Sequence, residues 1–282
     1  MKQYTPESSS EETVITPDKM KNLFDLKEIW KYRELLYIFT WRDIKIRYRQ
    51  TLLGVIYVIF QPLTSMLIFT LFFGNLAKIP SGNLPYPLFV LIGLIFWNYF
   101  SGSITRASDS MVSNESMIKK VYFPKIILPL SSMMTFLVDL SINFILLLIL
   151  AFILGYPPNI WILLIFPISV LVASITIAGA SLFLASLNVK YRDVRNILPF
   201  LIQIVIFLTP VIYPLTIISP RNQYIMALNP MTSVIETMRL SFQKNISVNT
   251  PLILISVFAS LAIFIFGLWY FNKTEKYFAD IV

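Results

Sequence analysis

Apolar residues in this chain come in long blocks and not at the two-residue period of a half-buried strand. Six blocks stand out: Leu52–Phe73, Leu84–Phe100, Ile126–Leu154, Ile160–Leu187, Ile197–Ile218 and Pro251–Phe271. An α-helix of about 20 residues crosses the roughly 30 Å hydrocarbon core of a bilayer. Each block therefore predicts a membrane-spanning helix, and the fold class is an all-α integral membrane protein with six spans. The third and fourth blocks are separated only by "GYPPN", Gly155 to Asn159, where two prolines end one helix before the next begins.

Three segments outside the blocks have a pattern of their own. Leading into the first span is "WRDIKIRYRQTLLGVIYVIFQPL", Trp41 to Leu63. Tyr37, Trp41, Ile44 and Tyr48 recur at helical spacing as an apolar-aromatic stripe, and Arg42, Lys45 and Arg49 recur beside it as a basic one, with Arg47 close by. That predicts an amphipathic helix lying in the membrane interface. It is either an anchor that sets topology, or a docking surface or site for an anionic lipid headgroup. Between spans two and three, "SNESMIKKVYFPKIILP" predicts a short helix on which Met111, Ile118, Val121 and Tyr122 share a face beside Lys119 and Lys120. A half-apolar helix of this kind suits a protein partner, or lies in the interface as a second amphipathic element. After span five, "NPMTSVIETMRLSF" predicts a helix capped by Asn229, with Pro230 in its first turn and Met231, Val234, Ile235, Met238 and Phe242 on one stripe. It is too short to span, so it is re-entrant or interfacial, or else a plain outer-surface helix.

Charge orients the spans. Of the 23 Lys and Arg residues, 19 fall on one side of the six-span layout and four, Lys78, Arg221, Arg239 and Lys244, on the other. Positive charge marks the cytosolic side, so both termini are expected there, as an even number of spans requires. Residues 1–22 are polar and have neither the basic start nor the apolar core of a signal peptide, and they read as a disordered cytosolic tail. The chain then divides into an interface-helix region at 23–51, a six-span domain at 52–272 and a cytosolic tail at 273–282.

Composition changes the picture mainly by what it removes. With 56% hydrophobic and 13% charged residues, the chain has about half the roughly 25% charge of a soluble domain. It contains no Cys and no His, and no Gly is followed by Lys, so there is no thiolate nucleophile, no imidazole base and no P-loop. No paired carboxylates lie within the spans, where Asp139 is the one charge set deep in a block. Asp139 reads as a hydrogen-bonding group between helices, with a substrate role as the alternative. Ser174, Ala178, Ser181 and Ala185 give span four a small face for close helix packing. The 42 aromatic residues suit a sugar cargo and equally suit lipid-facing surfaces. The whole reads as a pathway without a motor.

The stretch from Trp41 to Leu63 resembles the lead-in to the first span in permease subunits of type-2 ABC exporters, in the branch that exports polysaccharides. "KKVYFPKIILP" and "NVKYRDVRN" are similar to the two cytosolic loops of that family, and the terminal "EKYFADIV" is similar to its tail. The four motifs come in the family's order, with O-antigen permeases nearest in pattern and teichoic acid and capsule permeases sharing much of it.

The resemblance implies a homodimer in the bacterial inner membrane, bound to two copies of a separate cytosolic ATPase. ATP and magnesium would sit in that partner, with no cofactor in this chain. The cargo would be a glycan on undecaprenyl diphosphate, and nucleic acid has no place in the scheme. Arg42, Lys45, Arg47 and Arg49 would meet the lipid diphosphate or the interface. Glu115, Ile118, Lys119, Lys120 and Tyr122 would couple to the ATPase, and Tyr57, Phe60, Phe207 and Tyr213 are candidates to line the channel. The alternatives are an exporter of the same type for a small drug or lipid, and a membrane enzyme acting on a polyprenyl-linked sugar.

Overall fold

The computed structural model describes residues 30–49, 54–191, 193–243, 249–275 and 278. The expected tail at 1–22, the junction into the first span and most of the C-terminal tail lie outside the described residues. Ten α-helices account for most of the rest: α1 Arg33–Arg49, α2 Gly54–Phe69, α3 Tyr86–Ser113, α4 Glu115–Lys120, α5 Ile127–Ile153, α6 Ile162–Lys190, α7 Val194–Val205, α8 Pro220–Met226, α9 Pro230–Leu240 and α10 Thr250–Glu275. A π-helical stretch, Thr70–Leu76, prolongs α2. Five of these helices, counting α2 with its extension, are long and apolar enough to cross a membrane, which makes the chain a multi-pass membrane protein.

The central element is α3. Leu88, Val90, Leu91 and Ile92 are fully buried on successive faces of it, as expected of a helix surrounded by others. It packs against α2, α5, α6, α7 and α9. The helix runs on past the apolar block that predicted it, from Phe100 to Ser113. Its polar end stays helical while Thr105, Ser108 and Ser110 donate their hydroxyls to Ser101 O, Thr105 O and Ala107 O. Short hydroxyl side chains satisfied in this way tolerate a helix interior.

The small face expected on the fourth block is present on α6, where Ala178, Ser181 and Ala185 are buried. Its centre is Gly179, which abuts Gly267 of α10 so closely that a Cβ on Gly267 would lie 2.0 Å from Gly179 O. Glycine at both positions lets the two backbones touch. Thr176 Oγ1 and Ser260 Oγ, 3.0 Å apart, tie the same pair of helices together.

The fifth block is not one helix. Helix α7 ends at Val205, and residues 206–214 follow as turns before a 3-10 turn at Leu215–Ile217. Pro210 and Pro214 account for the break, since each lacks an N–H and disfavours helix in the residue before it. The segment still runs the length of α3. Arg195 pairs with Asp109 near the end of α3, while Ile212 O accepts from Tyr86 Oη at its start, and Val211 packs on Gly93. Asp109 and Gly93 are about 24 Å apart along the helix at 1.5 Å per residue.

Helix α9 has the expected cap and stripe. The Asn229 side chain accepts from Met231 N at 3.1 Å, and Met231, Val234, Ile235, Met238 and Phe242 are all buried. The helix packs against α3, α6 and α10.

Candidate functional site

The four motif segments meet at the Lys/Arg-rich end of the bundle. Phe39 of α1, Ile118 of α4, Phe123 of the loop after it, Ile127 at the start of α5, Val189 of α6 and Phe278 of the tail belong to one buried cluster. Edge-to-face ring pairs, Phe39–Phe123 and Phe271–Phe278, join its parts. Lys125 adds a polar clasp, its backbone N–H and Nζ reaching Glu275 Oε1 and O at 3.4 and 3.1 Å.

Helix α1 does not lie across the others. It packs lengthwise on α5, running from Phe39 at the loop to Arg47 and Tyr48 at Asp139. Its packed face holds Phe39 and Asp43, and the expected stripe residues Tyr37 and Trp41 point outward. The basic residues consequently part company. Arg42 reaches Asp43 Oδ1 and Asn114 Oδ1 at 3.0 and 3.2 Å. Arg47 pairs with Asp139 Oδ2 at 2.7 Å over the ring of Phe136, and Lys45 is exposed. The side chain of Arg49 lies outside the described residues. Asp139 also accepts from Tyr48 Oη, so it bridges helices through a charge pair and a hydrogen bond.

The face expected around α4 also divides. Met111 and Ile118 are buried, whereas Val121 and Tyr122 are exposed. The helix stops at Lys120 and Val121 is extended, so helical spacing no longer relates Tyr122 to Ile118. Pro124 favours this, because its ring pushes the residue before it out of helical geometry. What remains exposed is Lys119, paired with Glu115 at 2.7 Å, together with Lys120, Val121 and Tyr122. Of the lining candidates, Tyr57, Phe60 and Phe207 are exposed, and the half-buried Tyr213 donates to Phe207 O at 2.9 Å.

Two constellations lie outside the residues that the sequence pattern singled out. The first is a cleft of about 580 Å³ between α3 and α7, walled by Phe136 of α5 and lined by Thr105, Arg106, Asp109, Arg195 and Gln203 among others. The second is at the opposite end, where Arg239 of α9 is 1% exposed. It donates to Phe89 O, Val211 O and Glu236 Oε1, the last two at 2.9 and 2.8 Å. Its guanidinium lies 3.5 Å from the centre of the Phe89 ring. Glu236 accepts from Leu215 N in turn. One buried cation thus binds α9, the start of α3 and the broken fifth segment together. A cue was available: an Arg inside the apolar stripe of a short helix, three residues after a Glu.

Residues 34–242 match the family model described as ABC-2 type transporter. Among curated proteins, the O-antigen export system permease of Myxococcus xanthus is 31% identical over 78% of this chain and 84% of its own. The O-antigen export system permease of Klebsiella pneumoniae is 28% identical over 88% of this chain and 95% of its own. The polysialic acid transport protein of Escherichia coli is more distant, at 23% over 83% of this chain and 91% of its own. Five long apolar helices, a cap that unites the four motif segments and a family match over most of the chain agree: this protein is a membrane subunit of the ABC-2 type transporter family.

Proposed function

We propose that the chain is the permease of a bacterial type-2 ABC exporter that carries an O-antigen-type polysaccharide on undecaprenyl diphosphate outward across the inner membrane. The observation that carries this reading is the relationship, along nearly the whole chain, to permeases named for O-antigen export. Two copies form the pathway, with both termini and the Lys/Arg-rich cap in the cytosol and α7 with its turns as the sixth pass. A separate ATPase pair binds ATP and magnesium and docks on the cap. The exposed Lys119, Lys120 and Tyr122 supply its contact surface, and Ile118, buried in the cluster, transmits the load to α1, α6 and the tail. Tyr57, Phe60 and Phe207 are open on the surface, as residues facing a pathway between two copies would be.

The test is complementation. A strain lacking its own O-antigen permease, supplied with this chain and its cognate ATPase, regains surface glycan. Absence of glycan, with both subunits present in the membrane and associated, overturns the reading.

A further inference from the structure

We propose that the cleft between α3 and α7 is a binding site for the diphosphate of a lipid, with Arg106 and Arg195 as its phosphate ligands. Arg106, on a helical turn of α3 inside the cleft, has no hydrogen-bond or ion-pair partner among the described residues. Arg195 lines the same cleft from α7 and is held by a single contact, Nε to Asp109 Oδ1 at 3.3 Å, while 62% exposed. An exposed one-point pair of this kind is weak, so a diphosphate can take the guanidinium from the carboxylate. Two guanidinium forks against one carboxylate leave the cleft with an excess positive charge, and each fork can hold two phosphate oxygens at once. Gln203 adds amide donors a little further along α7.

The surroundings point to a lipid and not a free anion. The wall of the cleft itself includes Phe136 of α5 and Leu198, Pro199 and Ile202 of α7. Apolar side chains in the same wall as two arginines accommodate the start of a hydrocarbon chain and a charged headgroup together. Two basic residues of α1, Arg42 and Arg47, are already engaged with Asn114, Asp43 and Asp139. Asp109 acts as the placeholder. Its Oδ2 accepts from Ser113 Oγ, which holds the carboxylate where it retains Arg195 until a ligand arrives. The anion site stands on this geometry alone; the identity of the lipid rests on the export reading above.

The experiment measures binding of farnesyl diphosphate, farnesol and inorganic pyrophosphate to the purified full-length chain in phosphatidylcholine nanodiscs. The wild type binds farnesyl diphosphate at least about tenfold more tightly than either of the others, the scale of one charge-assisted hydrogen bond. The double variant Arg106→Ala/Arg195→Ala loses roughly tenfold or more for the diphosphate and nothing for farnesol. Asp109→Asn, which frees Arg195, binds the diphosphate more tightly. Arg221→Ala, a charge loss at the opposite end, binds as the wild type. Equal binding of farnesol and farnesyl diphosphate, an unchanged double variant, or weaker binding by a folded Asp109→Asn overturns the site. Pyrophosphate binding as tightly as farnesyl diphosphate overturns the lipid assignment. Export in the complementation strain, with normal binding by the double variant, removes the site and leaves the export reading. A binding wild type that restores no glycan does the reverse.

Discussion

Arg239 is the residue whose loss has the most readable consequence. Arg239→Met keeps much of the volume and the apolar stem but deletes the guanidinium. Val211 O, in the turn after α7, then loses its 2.9 Å donor, and Glu236 loses its cation. Phe89 O retains its place in a helix, so its loss is smaller. One bond from a charged donor contributes about 1.5–3 kcal/mol, and a desolvated cation over an aromatic face about 2 kcal/mol. Against this stands the desolvation of the guanidinium itself, which Met does not incur. Removing one member of a buried pair typically costs about 3–5 kcal/mol. Glu236 is 30% exposed and can find water, which moves the expectation for Arg239→Met to about 3 kcal/mol. Arg239→Lys should recover less than half of this, because one ammonium cannot reach two carbonyls, a carboxylate and a ring face together. Glu236→Gln should cost about 1 kcal/mol, and the Arg239→Met/Glu236→Gln double variant should cost less than the sum of the singles. Thermal unfolding of the purified protein in detergent measures the series, and limited proteolysis locates the loosening in the stretch 206–214. An Arg239→Met protein that unfolds within about 0.5 kcal/mol of the wild type, with the stretch 206–214 equally protected, would refute this account of the contact.

Four further outcomes follow from the same structure. Gly267→Ala places a methyl 2.0 Å from Gly179 O and should cost on the order of 3 kcal/mol or abolish folding, as judged by monodisperse yield in detergent. Asp139→Leu and Arg47→Met should each destabilise, by about 1–3 kcal/mol given the partial exposure of Arg47, while the double variant should cost less than the sum of the singles, because it leaves no orphan charge although Tyr48 Oη loses its acceptor; thermal unfolding in detergent measures the set. Lys119→Glu/Lys120→Glu should weaken co-purification of the ATPase by about 1 kcal/mol per residue with insertion unchanged, and undiminished recovery of the ATPase would count against the docking face. The purified chain without its partner should show no ATP turnover above a vector control, since it has no Gly-Lys step from which to build a phosphate loop.

Much of the architecture was legible in the sequence because hydrocarbon enforces a simple rule. Backbone polar groups within it must be satisfied inside the segment, so long apolar blocks become helices wherever they pack. The blocks ending near Leu154, Leu187 and Phe271 correspond to α5, α6 and α10 within a few residues. The Asn229 cap and the stripe of α9 were equally legible, since capping and helical spacing are local properties. Tertiary structure decided what local pattern leaves open. Burial of Ala107 and Met111, with Asn188 of α6 donating to Ser108 O, holds α3 against the bundle as far as Ser113, so Arg106, which hydropathy alone assigns to a loop, instead lines a cleft with Arg195. Packing of α1 on α5 turned Arg42 and Arg47, five residues apart, toward separate partners. The fifth block had the composition of a span, and its prolines marked the break. What the broken backbone bonds to was decided by Arg239, 28 residues beyond Val211. Composition and period act through neighbours in sequence. A cleft, a buried ion pair and a carbonyl's donor depend on which faces meet, and only the folded chain sets that.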